Sequence, residues 1–274
     1  MNTNMKMNTQ HHIASLLHVK PVIDPSREIR ARVDFLKDYL RKSGCYAYVL
    51  GISGGVDSST AGMLVSQACN ELEFEGYEAK FIAVRLPYGI QRDEEDAQHA
   101  LFHIQPDEII TVNIEPASNA ILASLPSIGD PLQEDFVLGN IKARQRMVAQ
   151  YAIAGANNGL VIGTDHAAEA LMGFYTKFGD GACDVTPLTG LNKRQVRQVA
   201  KEFGLPDLLV FKTPTADLES LNPGKPDEDA FGVSYEEIDN FLECKIIDDT
   251  SYDLIFNQYM KTMHKRELPV EALV

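Results

Sequence analysis

The chain has 274 residues, 45% of them hydrophobic and 23% charged, which is the composition of an ordinary globular protein and enough for one large α/β domain. Its formal net charge of −14 argues against a nucleic-acid-binding protein, which would carry a basic face. The longest uncharged run, 147–164, contains polar residues and glycines, so we expect a buried helix and strand there and no membrane span.

The N-terminal residues are polar and lack the apolar core of a signal peptide. We interpret residues 1–23 as an extension in which His11 and His12 are solvated, because adjacent residues do not share a helix face. The four cysteines are widely spaced and form no CxxC pair, which indicates neither a zinc site nor a redox pair. Reduced thiols and a cytoplasmic location are therefore expected.

Strand and helix patterns alternate from residue 24 onward. The first predicted helix begins at Asp24-Pro-Ser-Arg and ends at Gly44, a natural helix stop. Further helices are predicted over 58–76, 92–103, 116–124, 134–155, 234–243 and 249–264. Strands are predicted over 46–52, 79–86, 108–114 and 159–163. Strands separated by helices predict right-handed βαβ units, and hence one α/β domain over 24–274 with a doubly wound parallel sheet and helices on both faces.

In such a sheet ligands bind beyond the carboxyl ends of the strands, near the switch point of the strand order. The turns after residues 52, 86 and 163 should therefore meet at one edge. The segment 221–230 is rich in Pro, Gly and acidic residues, and its composition fits a lid over the site as well as a plain surface linker.

A glycine-rich turn, Ser-Gly-Gly-Val-Asp-Ser at 53–58, follows the first predicted strand and opens a helix. Helix N-termini bind anions, and glycines let the backbone approach a phosphate closely. Asp57 would repel a phosphate unless a cation such as Mg²⁺ lies between them. The turn is not the P-loop of the ATPases, since no lysine follows the glycines, and no dinucleotide-binding glycine pattern occurs.

A second motif, Gly-Thr-Asp-His-Ala-Ala-Glu at 163–169, follows the fourth predicted strand and shares its edge with the glycine turn. Glu169 offers a second oxygen ligand for Mg²⁺. Arg85 and Gln91 follow the second strand. Lys193 stands at a helix start, against the helix dipole, which a phosphate partner would explain.

These motifs together resemble the ammonia-dependent NAD⁺ synthetases of the bacterial type, a family of the pyrophosphatase-type ATP enzymes. The motifs occur in the family's order and span about 25–270: Gly51–Ser59, Arg85–Gln91, Gly139–Arg144, Gly163–Glu169, Phe174–Asp180, Pro187–Lys193 and Lys212–Leu218. Only the first is shared with the wider superfamily. The resemblance implies an adenine nucleotide α-hydrolase-like fold.

The resemblance also implies a reaction. ATP adenylates the nicotinate carboxylate of deamido-NAD⁺, pyrophosphate leaves, and ammonia attacks the acyl-adenylate to give NAD⁺ and AMP. The protein would align the reactants and neutralise the charge on the phosphates. The chain offers no room for a glutamine-hydrolysing domain, so ammonia is expected free or from another protein. The family resemblance further implies a homodimer, in which the helix 134–155 is a candidate contact.

Residue roles follow from the same resemblance. Asp57 and Glu169 would bind Mg²⁺ and act with Lys193 in catalysis. The residues expected to contact ATP are Gly51, Ile52, Ser53, Gly54, Gly55, Val56, Asp57, Ser58, Arg85, Gln91, Thr164, Lys193 and Thr215. Those expected to contact deamido-NAD⁺ are Arg144, Lys177, Asp184, His264 and Lys265. Asp184 is also a candidate to take a proton from ammonium.

Two alternatives remain at this point. A GMP synthetase-like enzyme would share the first motif but not the run from Arg144 to Asp184, and a tRNA-thiolating enzyme would need reactive cysteines and a basic face. A module that senses ATP without turnover is the second alternative, although it would not need Asp57, Glu169 and Lys193 together.

Overall fold

The computed structural model describes residues 3–90, 94–215, 221, 224–267 and 269–272. Its strands are β1 (Ala47–Gly51), β2 (Lys80–Arg85), β3 (Glu108–Thr111) and β4 (Gly159–Val161). Its helices are α1 (Thr3–Leu16), α2 (Pro25–Ser43), α3 (Val56–Phe74), α4 (Glu94–Ile104), α5 (Glu115–Ser124), α6 (Pro131–Ala156), α7 (Ala167–Met172), α8 (Lys193–Glu202), α9 (Asp207–Val210), α10 (Asp227–Phe231), α11 (Tyr235–Leu242), α12 (Asp249–Lys261) and α13 (Met263–Arg266).

The strands form one parallel sheet in the order β3-β2-β1-β4. The chain builds outward from β1 to β3 and then returns to the other side of β1 to form β4. This reversal places a switch point between the carboxyl ends of β1 and β4, where an open α/β sheet leaves a crevice for a ligand.

Both faces of the sheet are covered, because alternate residues of a strand point to opposite sides. Tyr48 and Leu50 of β1 pack into a core with helices α2, α3 and α8. Ala47 and Val49 pack into a second core with Ala154 of α6. The predicted doubly wound α/β fold is therefore confirmed. A further apolar cluster lies outside the sheet and joins α1, α7, α11 and α12.

The capping residues set the helix ends as predicted at α2. The Asp24 side chain accepts the Arg27 N–H at 3.2 Å, and Gly44 has a left-handed φ of 71°. The predicted strand over 159–163 ends earlier, at Val161. Ile162 pairs with Val185 instead, and the Gly163 N–H donates to the Val185 carbonyl at 2.8 Å. The predicted helix 249–264 is interrupted at Thr262.

The N-terminal segment is more structured than its polar sequence indicates. His11 and His12 are exposed, as predicted. The segment is nevertheless helical, and Gln10, Ile13 and Ala14 are buried at 3%, 2% and 4% exposure. One buried stripe on an otherwise polar helix is enough to attach it to the α7–α11–α12 cluster.

None of the described helices is long and apolar enough to cross a membrane. The four cysteines, all within the described ranges, are free thiols.

Candidate active site

The glycine turn joins the end of β1 to the start of α3. Gly55 is the N-cap residue, and its extended backbone (φ −79°, ψ 162°) turns the chain into the helix. Gly54 has a φ of +81°, and a Cβ there would lie 2.6 Å from the Ala97 backbone nitrogen of α4. Only glycine meets both conditions. The hydroxyls of Ser53 and Ser58 lie 3.2 Å apart beside the helix start. The turn therefore presents backbone N–H groups and hydroxyl donors to an anion.

Lys193 and Asp57 form a buried ion pair at this turn. The Lys193 Nζ lies 2.7 Å from Asp57 Oδ2 and 4.9 Å from the centroid of the Tyr235 ring. Lys193 is 1% exposed, and its backbone N–H donates to Asp239. Burial alone would raise the pKa of Asp57, but the charge and hydrogen bond of Lys193, together with His166 and Arg197, hold that pKa below its usual value. Asp57 is therefore an anion in the folded protein.

His166 is a buried, neutral residue between the two acidic motifs. It is the N-cap of α7, where its Nδ1 accepts the Glu169 N–H at 3.4 Å. Burial lowers the pKa of His166 to about 3. Because Nδ1 is the acceptor, the proton of the neutral ring is on Nε2. That atom lies 3.4 Å from Asp57 Oδ1, 3.6 Å from Glu169 Oε2 and 3.4 Å from Lys193 Nζ, so the ring lies among all three charged groups.

The carboxylates of this site repel one another. Burial raises the pKa of Glu169 well above its usual value, and the charge of Asp57 adds to that rise. Burial, together with the charges of Asp180 and Asp57, raises the pKa of Asp165 to about 8. A site that concentrates carboxylates in this way is stabilised by a cation.

The donor set fits a hard divalent cation. Ligand atoms of Asp57, His166 and Glu169 all lie within 4.8 Å of one another. Within the part of the chain that the structure describes, the buried Oδ1 of Asp57 accepts no hydrogen bond. A buried carboxylate oxygen without a partner is costly, and a bound cation removes that cost. Mg²⁺ takes oxygen ligands, so Asp57 and Glu169 suit it, and His166 lies beside both.

A cavity of about 540 Å³ opens beside these residues, at the switch point of the sheet. Most residues expected at the ATP site line it: Gly51, Ile52, Ser53, Gly55, Val56, Asp57, Ser58, Thr164, Lys193 and Thr215. Glu169, the second expected metal ligand, lines it too. Lys265, expected at the dinucleotide site, also lines it. Gly54 packs against α4 behind the turn. Gln91 lies outside the described residues.

Arg85 is not part of the cavity lining. Its guanidinium is held by the carboxylate of Glu94 through two contacts of 2.7 Å, and its side chain is 3% exposed. A bidentate pair of this kind fixes the arginine in place. The predicted contact of Arg85 with ATP would require this pair to open.

Three residues expected at the dinucleotide site form a connected group outside the cavity lining. The Arg144 guanidinium donates to the Lys177 carbonyl at 3.2 Å, and the Lys177 ammonium donates to the His264 carbonyl. Lys265, next in the chain, donates to the carbonyls of Gly173 and Tyr175 at 2.8 and 2.7 Å. The sequence thus predicted residues that the fold brings together, although only Lys265 reaches the cavity.

Asp184 has a structural position at the end of β4. Its Oδ2 accepts the Val161 N–H at 2.7 Å, and its Oδ1 lies 3.4 Å from the Tyr151 hydroxyl. Burial raises the pKa of Tyr151 to about 12, and the Asp184 charge contributes to that rise. Asp184 does not line the cavity, so its contact with a substrate stays a prediction.

Several lining residues were not predicted. Gln150 and Arg146 are four residues apart on α6: Gln150 accepts the Gly51 N–H at 2.8 Å, and Arg146 donates to the Leu86 carbonyl at 3.2 Å. Their helical spacing on the face that covers the sheet was the available signal. Asp227, which accepts from the Tyr235 hydroxyl at 3.0 Å, also lines the cavity, and the only signal for it was its place in the segment 221–230, a candidate lid or linker.

A doubly wound parallel sheet with a glycine-rich turn at its switch point defines a nucleotide-binding α/β protein of the adenine nucleotide α-hydrolase fold. The chain belongs to the NAD synthase family, whose sequence pattern matches residues 28–269. The resemblance drawn from the motifs is thereby confirmed.

Individual relatives agree with this assignment. The chain is 58% identical over 264 residues to an NH(3)-dependent NAD(+) synthetase of Burkholderia ambifaria, covering 95% of this chain and 94% of the relative. The NAD⁺ synthetase structure from Burkholderia pseudomallei is similar with a TM-score of 0.84 at 53% identity, covering 96% of this chain and 98% of that one. The NMN synthetase structure from Francisella tularensis is similar with a TM-score of 0.82 at 34% identity, covering 92% of this chain and 100% of that one.

Proposed function

We propose that this protein is an ammonia-dependent NAD⁺ synthetase, a ligase that uses ATP to convert the nicotinate carboxylate of deamido-NAD⁺ into the amide of NAD⁺. The observation that carries the proposal is the buried pair of Asp57 and Lys193 at the glycine turn. This pair places one negative and one positive group where the phosphates of a nucleotide would lie.

In the first step, a carboxylate oxygen of deamido-NAD⁺ attacks the α-phosphorus of ATP. The bond from that phosphorus to the bridging oxygen breaks, and pyrophosphate leaves. The turn residues Ser53 to Ser58 would hold the phosphates through backbone N–H groups and hydroxyls. Lys193 would stabilise the negative charge that develops on the departing pyrophosphate.

Asp57 and Glu169 are the residues that would hold Mg²⁺. When bound, the ion neutralises charge on the phosphates. His166 lies beside both carboxylates, and as the N-cap of α7 it accepts the Glu169 N–H, so it would help to position Glu169. Thr164 and Thr215 line the same cavity and would contact ATP, together with Arg85 and Gln91 as predicted from the family resemblance.

In the second step, ammonia attacks the carbonyl carbon of the acyl-adenylate, AMP leaves with its oxygen, and one proton is released from the nitrogen. The protein's part is to hold the adenylate and exclude competing water. Lys265 lines the cavity, and Arg144, Lys177 and His264 are linked beside it, so this basic group would face the dinucleotide. Asp184 remains the predicted proton acceptor.

The protein would act as a homodimer. Helices α5 and α6 expose large apolar side chains, a pattern that is typical of a subunit interface. They are Ile121, Leu132, Phe136 and Val148, joined by Leu125 just after the end of α5, with exposures from 39% to 72%. The cytoplasm stays the predicted location, and free ammonia the predicted nitrogen source.

The test is a reconstitution with ATP, Mg²⁺, deamido-NAD⁺ and ammonium, in which NAD⁺, AMP and pyrophosphate are measured together. We expect equal amounts of all three products. ATP binding without NAD⁺ formation would overturn the proposal and favour a GMP synthetase-like enzyme or a sensing module. Glutamine in place of ammonium tests the nitrogen source.

A second acceptor makes the assay more specific. The similarity to an NMN synthetase structure makes nicotinic acid mononucleotide the informative competitor. A higher kcat/KM for the mononucleotide than for deamido-NAD⁺ would replace the proposed substrate while leaving the chemistry unchanged.

A further inference from the structure

We propose that the segment between α1 and α2 acts with Arg32 as a clamp that positions Lys193. The clamp consists of His18, Lys20 and Arg32, and it holds the loop Pro187–Asn192 that leads into Lys193. The catalytic part of this inference rests on the proposed function, since Lys193 matters through its charge at the phosphate site. The part of the inference that concerns how these contacts hold Lys193 in place does not depend on the proposed function.

The first contact joins His18 to Gly190. A Cβ at position 190 would lie 2.8 Å from the His18 carbonyl oxygen, and Gly190 has a φ of +82°. His18 itself has a positive φ of 58°, and the Val19 N–H donates to the Ala14 carbonyl at 2.9 Å. This is the bonding of a Schellman-type helix end with a histidine where glycine is preferred. The end of α1 is thus shaped so that its carbonyl meets the loop.

The second contact joins Lys20 to the first turn of α8. The Gln195 side chain donates to the Lys20 carbonyl at 2.7 Å, while its Oε1 accepts the Asn192 N–H at 3.1 Å. Gln195 is 2% exposed. One buried side chain therefore completes the capping box of α8 and ties the helix start to the N-terminal segment.

The third contact comes from α2. Arg32 donates to the carbonyls of Pro187 and Thr189, the latter at 3.0 Å. Its other nitrogen donates to Glu28 at 3.0 Å, and Glu28 also accepts from Lys20 at 2.7 Å. Arg32 thereby connects both ends of the clamp through one guanidinium with several donors.

Helix α1, which leads into this segment, also touches the helix that carries Glu169. Ile13 of α1 packs in one apolar cluster with Ala168 and Leu171 of α7. The N-terminal segment therefore contacts the elements that hold Lys193 and Glu169, although it adds no side chain to the cavity. A small displacement of a buried charge changes its interaction energy strongly. The position of the loop Pro187–Asn192 therefore controls how the Lys193 charge acts in the site.

The first test is a pair of glycine substitutions at similar backbone angles. Gly190→Ala introduces a collision with the His18 carbonyl, whereas Gly204 has a φ of +80° and nothing within 4 Å of its Cβ position. Gly204→Ala therefore carries the same backbone strain without the collision. The second pair consists of Arg32→Lys and its control, Arg30→Lys on the same helix. Arg32→Lys keeps the positive charge near Glu28 but loses the guanidinium that donates to two carbonyls.

The readout is reductive methylation of Lys193 in the protein without substrates, measured by peptide mass spectrometry against Lys201 of the same helix. Lys193 is buried and Lys201 is half exposed, so Lys201 serves as an internal reference. We expect Lys193 to be labelled about fivefold faster in Gly190→Ala and Arg32→Lys, the factor for losing roughly one hydrogen bond. Gly204→Ala and Arg30→Lys should label like the original protein.

Kinetics supply a second readout that general destabilisation does not move. The two clamp variants should show a raised KM for ATP and a lowered kcat, with the KM for ammonium unchanged. Unchanged labelling in both clamp variants, or equal increases in the controls, would overturn the clamp. If the clamp variants are labelled faster but the original protein makes no NAD⁺, the clamp is kept and the proposed function is rejected.

Discussion

The ammonium of Lys193 lies 2.7 Å from a carboxylate oxygen of Asp57, although the two residues are 136 positions apart in the chain. This contact joins the first turn of α3 to the first residue of α8. It therefore connects the glycine turn to the C-terminal part of the molecule, and both charges are fixed before any ligand arrives. A preorganised charge of this kind contributes more to catalysis than one that must reorient.

Lys193→Met should reduce kcat by roughly 10²–10³-fold, the range for removing one preorganised donor. It should also destabilise the protein by about 3–5 kcal/mol, because Asp57 would remain buried and unpaired. Single-turnover kinetics and urea unfolding measure the two effects. Lys201→Met is the matched control on the same helix, and an equal loss of activity there would contradict the assignment.

Asp57→Asn and Glu169→Gln each remove one anionic oxygen with little change of shape. We expect both to abolish turnover and to weaken Mg²⁺-dependent binding of a non-hydrolysable ATP analogue, because a neutral amide holds Mg²⁺ poorly. Calorimetric titration with and without Mg²⁺ separates this effect from a loss of nucleotide contacts. Undiminished turnover in Asp57→Asn would remove the metal assignment.

Gly54→Ala should destabilise the protein more than Gly76→Ala. Both glycines have a φ of +81°, but only the Gly54 position faces backbone atoms, 2.6 Å from the Ala97 nitrogen. The shared backbone strain is about 1–2 kcal/mol, and the collision should add about 1–3 kcal/mol at position 54. Thermal unfolding of the two variants checks the difference, and equal losses would show that α4 moves away freely.

The lowered pKa of Glu71 predicts that the free energy of unfolding decreases in acid. Hydrogen bonds from Arg30, and then from Lys37, lower the pKa of Glu71 to about 2. A carboxyl whose folded pKa is lowered stabilises the fold above its unfolded pKa, and this contribution disappears as the pH falls from about 4.5 towards 2. After allowance for its partial exposure, we expect the contribution to be about 1 kcal/mol.

Glu71→Gln should therefore flatten the fall of the unfolding free energy between pH 4.5 and 2, as measured by urea denaturation at several pH values. Glu73→Gln, which removes an exposed charge from the same helix, serves as the control. A pH dependence that is identical in all three proteins would exclude the Glu71 network as a source of acid sensitivity.

The proposed homodimer makes a separate prediction. Phe136→Glu should convert the dimer to a monomer, because a charge buried in the proposed apolar interface would lose its hydration without gaining a partner. Light scattering after size-exclusion chromatography measures the mass. Phe74→Glu changes an equally apolar residue that is 94% exposed on α3, away from this face, and should leave the mass unchanged.

The sequence by itself determined the sheet, the glycine turn and most of the residues that line the cavity of the proposed ATP site. These depend on local information, since apolar strands, glycines and helix caps act over a few residues. Asp57, Thr164 and Glu169 lie in the two motifs that follow β1 and β4, so their meeting at one sheet edge follows from the topology. The family motifs added Thr215 and supported Lys193, and both residues line the cavity.

Only the tertiary structure decided which of the remaining residues reach the cavity. The pairing of Arg85 with Glu94, the use of Asp184 to cap β4 and the position of Gln10 and Ile13 in a buried stripe depend on contacts between distant segments. A side chain joins a site or supports it according to the partner that lies within hydrogen-bonding distance. That distance is set by packing across the whole chain, which no local pattern records.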